Sequence, residues 1–177
     1  MGHYAYRRLT SADVALLKDL LRVFADAFDE VDTYQQCLPS DEYLTRLLEK
    51  EHFIAVVAQK GNEVVAGLAA YELDKFEQER REIYIYDLAV LERHRRKGIA
   101  TAMIGALRKI AAARNAYVIF VQADLEDGPA IALYESLGTK ETAHHFDIDV
   151  RAPGRGETFG QKKAPRKKRG EAEGQDR

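Results

Sequence analysis

The sequence predicts an α/β (α+β) domain, with a mixed central sheet that holds one parallel strand pair and is flanked by helices. Three observations carry this. Residues 82–90 (EIYIYDLAV) are rich in β-branched and aromatic side chains and read as a strand. Helical spacing of Ile99, Met103, Ala106, Leu107 and Ile110 follows, then a second apolar strand at 117–123, and a strand–helix–strand order makes the two strands parallel. The apolar segments 53–58 and 64–73 flank Gly61-Asn62 and read as a hairpin, which makes the sheet mixed.

The remaining elements follow in order. Residues 4–9 are a candidate first strand. Thr10 and Asp13 form a capping pair before Val14, Leu17, Leu21, Phe24 and Phe28, whose steps of three and four predict an amphipathic helix. Residues 29–34 (DEVDTY) read as an acidic loop, and Pro39-Ser40-Asp41 opens a short helix through about Glu49. Pro129 suits the first turn of a later helix that ends near Gly138, and residues 142–150 are expected to close the fold as a strand. The domain is expected over 1–150. Residues 151–177 are poor in apolar residues and rich in Lys and Arg, so a disordered tail that contributes nothing to activity is expected.

Charge follows the same division. Residues 1–150 carry 18 Lys/Arg against 25 Asp/Glu, a net of −7, and 151–177 carry 9 against 4, a net of +5. An acidic body attracts cations and disfavours specific nucleic-acid binding, and a solvated extension is the plainer meaning of the tail. Cys37 is the single cysteine, so neither a disulfide framework nor a cysteine-held metal is expected. No apolar run is long enough to span a membrane and no signal-peptide pattern opens the chain, so a cytoplasmic location is expected.

The chemistry concentrates between the central strand and its helix. Arg95, Arg96 and Lys97 precede Gly98, Ile99, Ala100 and Thr101, where helix-start amides and the dipole make an anion seat suited to a pyrophosphate. No Walker-type phosphate loop or dinucleotide fingerprint occurs. Arg95-x-x-Gly98-x-Ala100 resembles the coenzyme A pyrophosphate motif of the GNAT acetyltransferases. Ala130 to Gly138 (AIALYESLG) resembles that family's second signature, in the right order and at the right distance.

This resemblance covers 4–150. It implies a GNAT fold with a splayed pair of parallel strands and acetyl-coenzyme A as cosubstrate. It further implies that Leu88 and Val90 offer strand backbone to the pantetheine arm, with Ala89 between them in the cofactor-binding stretch, and that Tyr134 protonates the departing thiolate. Two positions depart from the family pattern: Asp127 stands where Asn is common, and Thr139 where Phe is common. Longer strings (FEQ at 76–78, 82–90, YVIFVQAD at 117–124, HFDID at 145–149) resemble the type I aminoglycoside 3-N-acetyltransferases. That closer resemblance implies gentamicin-like acceptors, antibiotic resistance and a homodimer.

The residues agree with a polycationic acceptor. Carboxylates stand at Asp29, Glu30 and Asp32, on the central strand at Asp87 beside Tyr86, and at Asp124 and Glu126. Asp87 interrupts an apolar strand, which is costly unless the group is paired, hydrated or functional. An amine must lose a proton to attack a thioester; Asp87 is the first candidate base, with Glu82 and His145 as alternatives. Other readings share parts of this pattern: a GNAT enzyme for a polyamine or protein amine, a non-catalytic acetyl-coenzyme A-binding module, or nucleic-acid binding by the tail.

Overall fold

The computed structural model describes residues 3–35, 38–146, 148 and 150. The chain forms two compact units, Met1–Gln122 and Ala123–Arg177. The first holds a five-stranded sheet in sequential order: β1 (Ala5–Arg8), β2 (Phe53–Lys60), β3 (Glu63–Asp74), β4 (Arg81–Val90) and β5 (Ala116–Val121). Neighbours from β1 to β4 are antiparallel, and β4 with β5 is parallel. The expected mixed sheet is therefore present, with the hairpin turning at Gly61, whose φ is 61°.

Helix α1 (Val14–Phe28) packs on β3 and β4, and α4 (Ile99–Ala113) crosses between the parallel strands. Gly67 leaves room for α1 on the sheet: a Cβ there would lie 2.1 Å from Leu20 Cδ1, so a larger residue would force the Leu20 side chain to move. The buried faces differ from those read from spacing. In α1 they are Leu17, Leu20, Val23, Phe24 and Ala25, while Phe28 is partly exposed. Contacts with β3, β4 and α3 (Asp41–Glu49) widen this face beyond a single stripe. In α4, Ile104 and Ala111 are buried, and Ala106 and Ile110 are only half-buried.

Three local expectations are met or corrected. Ser40 caps α3 by accepting from Tyr43 N at 3.2 Å. The acidic stretch is not all loop: Asp29 ends α1 in the left-handed region, and α2 (Val31–Gln35) is one further short helix. Residues 142–150 are not a strand at any described position, and Phe146, Ile148 and Val150 are exposed. A strand needs a ladder partner, and none is present there among the described residues. Cys37 and 151–177 lie outside the described residues.

Before α1, Asp13 reaches back to the Thr10 amide at 2.9 Å and also accepts from Thr10 Oγ1 at 2.8 Å and from Arg7. Asp13 is only 6% exposed. Burial alone would raise its pKa, but the Thr10 bonds and the Arg7 charge together hold it below its ordinary value. Asp13→Ala is expected to cost roughly 2 kcal/mol at neutral pH, read as a lower denaturation midpoint. Because the folded-state pKa is depressed, this contribution is present above the ordinary carboxylate range and is lost as pH falls through the lowered value. The difference between wild type and variant should therefore shrink in acid.

Candidate active site

The site begins where the parallel strands part. β4 pairs with β5 from Arg81↔Ala116 to Ile85↔Val121, while its other edge stays on β3 as far as Ala66↔Val90. Beyond Ile85, β4 has no β5 partner among the described residues, which is the splay that the family resemblance implied. At the same point the β3 ladder shifts register between Ala69 and Ala70, so that Tyr86 is the extra, bulged residue between Ile85 and Asp87. Bulges re-aim side chains. Here Tyr86 stands 62% exposed beside a half-buried Asp87.

Asp87 accepts a hydrogen bond from the Tyr34 hydroxyl at 3.3 Å. Burial, then Asp87, then Glu30 push the Tyr34 pKa far above its ordinary value, so the phenol remains a donor. Asp87 also lies close enough to Tyr71 and Tyr84 to raise their pKa values, after burial and neighbouring tyrosines. These rings form a continuous row: Tyr71 meets Tyr86 edge-on at 5.9 Å, Tyr86 meets Tyr84 edge-on at 5.9 Å, and Tyr84 stacks on Phe120 at 4.9 Å. The Tyr84 hydroxyl is fixed by Gln122 at 3.1 Å. A carboxylate amid electron-rich ring faces suits an ammonium group.

The basic turn lies beyond the end of β4. Gly98 N-caps α4 at φ 74°, and Arg96 is also left-handed at φ 62°. No side chain caps α4, so the first-turn amides, which no helical carbonyl can reach, open toward the turn. Arg95 Nε donates to the Val90 carbonyl at 3.0 Å and Lys97 Nζ to the Arg93 carbonyl at 2.7 Å, bracing the turn from within. Beneath it, His94 is buried with its Nδ1 3.0 Å from the Tyr4 hydroxyl. Burial first, then Lys97 and Arg93, lower the His94 pKa and favour the neutral ring.

The first unit thus brings Asp87 together with Tyr86 and the stretch containing Glu30, and holds Leu88 to Thr101 in one strand–turn–helix. Glu82 sits at the far end of β4, where Tyr117 donates to it and Lys75 lies at 3.4 Å. The Tyr117 bond, with Lys75, holds its pKa below the ordinary carboxylate value, which makes it a weaker base. A polar cavity of about 410 Å³ also lies at that end, lined by Arg8, Glu72, Arg81 and Arg114 among others. Glu72 there is engaged by two arginines, with Arg114 Nη1 2.7 Å from Oε2 and Arg81 Nε 3.4 Å from Oε1.

The second unit carries Asp124, Glu126, Tyr134 and His145. Helix α5 (Gly128–Glu135) has Pro129 in its first turn, and Asp127 caps it by accepting from Ala130 N at 3.1 Å. Asp can serve as well as Asn in that role. Tyr134 lies on α5, and burial, then the Asp127 charge, raise its pKa. His145 is exposed and outside any strand. Sequence reading missed Tyr34, Tyr71, Tyr84 and His94 as site residues. The tyrosine-rich β4 string hinted at an aromatic surface, but no local signal links Tyr34 to Asp87.

Known proteins match this architecture. The profile of the acetyltransferase (GNAT) family matches residues 17–139. An aminoglycoside acetyltransferase from an uncultured soil metagenomic sample is 55% identical, with a TM-score of 0.83 over 84% of this chain and 99% of that one. A second soil metagenomic aminoglycoside acetyltransferase, solved in complex with sisomicin, is 30% identical, with a TM-score of 0.78 over 84% of this chain and 97% of that one. N-acetyltransferase family 8 member 2 of Rattus norvegicus is 28% identical over 113 residues, 63% of this chain and 50% of the relative. The chain spans about half the length of the first curated relatives it matches. With a parallel pair that splays at Ile85 and an uncapped helix start at Gly98, the chain belongs to the GNAT acetyltransferase family.

Proposed function

We propose that this protein acetylates an amine of an aminoglycoside, with acetyl-coenzyme A as donor. The observation that carries the reading is Asp87 at the splay, hydrogen-bonded by Tyr34 and bordered by Tyr71, Tyr84 and Tyr86. Two relatives of at least 30% identity, both aminoglycoside acetyltransferases, support the acceptor class. The finer reading is a 3-amino group of gentamicin-like drugs, a role in resistance, and a cytoplasmic homodimer.

Acetyl-coenzyme A fits the residues present. First-turn amides of α4, with Gly98 in the left-handed region, would hold the pyrophosphate, helped by the charges of Arg95, Arg96 and Lys97. The backbone of Leu88 and Val90, on the part of β4 without a β5 partner, would pair with the pantetheine arm, the Val90 carbonyl already accepting from Arg95; Ala89 between them faces β3. When bound, the cosubstrate supplies an acetyl group as a thioester. Asp87 orients the acceptor's ammonium and takes up its proton, directly or through water, so that a neutral amine can attack. Tyr134 Oη, protonated at neutral pH, holds the proton that the leaving sulfur requires. Asp29, Glu30, Asp32, Asp124 and Glu126 supply further negative charge for a polycation.

The reading is tested with a panel of gentamicin, sisomicin, kanamycin, spermidine and peptide amines, following thiol release from acetyl-coenzyme A. Aminoglycosides should give the highest kcat/KM, and nuclear magnetic resonance of the product identifies the acetylated amine. A preference for peptide amines would favour the alternative acceptor, which has its own support. An N-alpha-acetyltransferase of Saccharolobus solfataricus is 40% identical over 62 residues, 34% of this chain and 37% of that protein. If none of these acceptors elicits thiol release, the non-catalytic binding module is favoured.

The turn gives a separate prediction. A Cβ on Gly98 meets nothing within 4 Å, so the penalty of Gly98→Ala is backbone strain at φ 74° and not a clash. That strain is worth roughly 1–2 kcal/mol. Relaxing it moves the first-turn amides, and coenzyme A affinity should fall about tenfold by calorimetry. Unchanged affinity in a folded variant would remove the turn from the cofactor site.

A further inference from the structure

We infer that Tyr34 is the positioning residue of the acceptor site: its hydroxyl holds the Asp87 carboxylate while its ring anchors the acidic stretch at 29–32. The inference rests on the reading above, in which Asp87 serves the acceptor amine.

The first part follows from the bond itself. Asp87 sits immediately after a bulge and where β5 has already left, so strand pairing restrains this part of β4 from the β3 side alone. A carboxylate there needs a donor to select its rotamer, and the Tyr34 hydroxyl reaches Oδ1 at 3.3 Å. The titratable groups around Asp87 come from three elements. They include Tyr34 on α2, Tyr71 on β3, and Tyr84 and Tyr86 on β4; Glu30 is near through Tyr34. Tyr34 is the one of these phenols with a hydrogen bond to the carboxylate in the structure.

The second part follows from the length of α2. Five residues cannot form a helix that is stable by its own hydrogen bonds. Its position is set from outside: the Tyr34 ring packs on Phe24 at 5.8 Å and on Phe28 at 6.0 Å, and those two rings stack at 5.7 Å at the end of α1. Backbone bonds from Glu30 N to Ala25 O and from Tyr34 N to Glu30 O, both 3.1 Å, complete the link. One side chain therefore ties the helix that ends at Phe28, the acidic stretch and the carboxylate on β4.

The chemistry makes this testable. A hydroxyl that donates to a carboxylate stabilises the anion and lowers its proton affinity. Tyr34→Phe keeps the ring and removes the donor. The acid limb of the kcat/KM profile for sisomicin should move to higher pH by about half to one unit. At neutral pH, kcat should fall several-fold while the KM for acetyl-coenzyme A and the thermal midpoint stay at wild-type values. Tyr34→Leu also removes the ring, so it should further raise the KM for sisomicin and lower the midpoint.

Asp87→Asn run in parallel separates the two levels of the argument. If Asp87→Asn turns over sisomicin at the wild-type rate, the reading of Asp87 falls and the role of Tyr34 falls with it. If Asp87→Asn is slow but Tyr34→Phe keeps its acid limb and its kcat, the inference about Tyr34 alone is overturned. A slower Tyr34→Phe with an unmoved limb would mean a structural role only, and overturns it as well.

Discussion

Asp87→Asn should depress aminoglycoside turnover by roughly 10²–10⁴, the usual effect of losing a general base, while coenzyme A still binds. The substitution is close to isosteric and leaves an acceptor for the Tyr34 hydroxyl, so the bulge and its bond should persist. What is lost is negative charge and basicity. Acceptor affinity should therefore fall too, seen as a raised KM for gentamicin, because one carboxylate partner of a polycation is gone. Raising the assay pH supplies neutral amine from solution and should restore part of kcat if Asp87 acts as a base. No restoration would mean that its charge, and not its basicity, is what the acceptor needs. A wild-type rate at neutral pH would move the base elsewhere. Glu82 is then a poor successor, since Tyr117 and Lys75 stabilise its anion. His145 would be the next residue to replace.

What could be read from the sequence was whatever rests on local periodicity or on short-range motif spacing. The strands of the hairpin and of the parallel pair each show their own local pattern, the Ser40 cap needs only its own helix start, and each is found near its expected bounds. The turn from Arg95 to Gly98 was legible for the same reason, since a strand end, a glycine and a helix start are contiguous. The bulge at Tyr86 was not, because it is a register shift against Ala69 and Ala70 of β3, which no pattern within β4 itself records. Nor was the Tyr34–Asp87 bond, which joins residues 53 apart. Residues 142–150 show the converse error. Their alternation has the period of a strand, but period specifies a face and not a partner, and Phe146 and Ile148 remain exposed. Asp87 is intermediate: its cost in an apolar strand could be read, and the phenols around it could not.

Tyr134→Phe should slow acetyl transfer by roughly 10²–10³ while leaving the binding of both substrates intact, which distinguishes it from Asp87→Asn. The phenylalanine keeps the ring on α5, and the helix keeps its Asp127 cap and its closing bonds from Leu137 N and Gly138 N to the Tyr134 carbonyl. Stability should therefore change little. The hydroxyl is the only group removed, and burial together with Asp127 keeps it protonated at neutral pH. A thiol leaving group has a pKa of about 8.5, so proton donation matters less when the departing thiolate is already stable in solvent. The defect should accordingly shrink as pH rises through the thiol range, whereas wild-type kcat should fall once the phenol itself ionises. Because the Tyr134 pKa is raised, that fall belongs above the ordinary tyrosine value of about 10. The decisive measurement is kcat against pH for both proteins. Curves that run parallel across the whole range would show that the hydroxyl positions the site and donates no proton, and a Tyr134→Phe enzyme with wild-type kcat at neutral pH would leave the leaving thiolate to solvent.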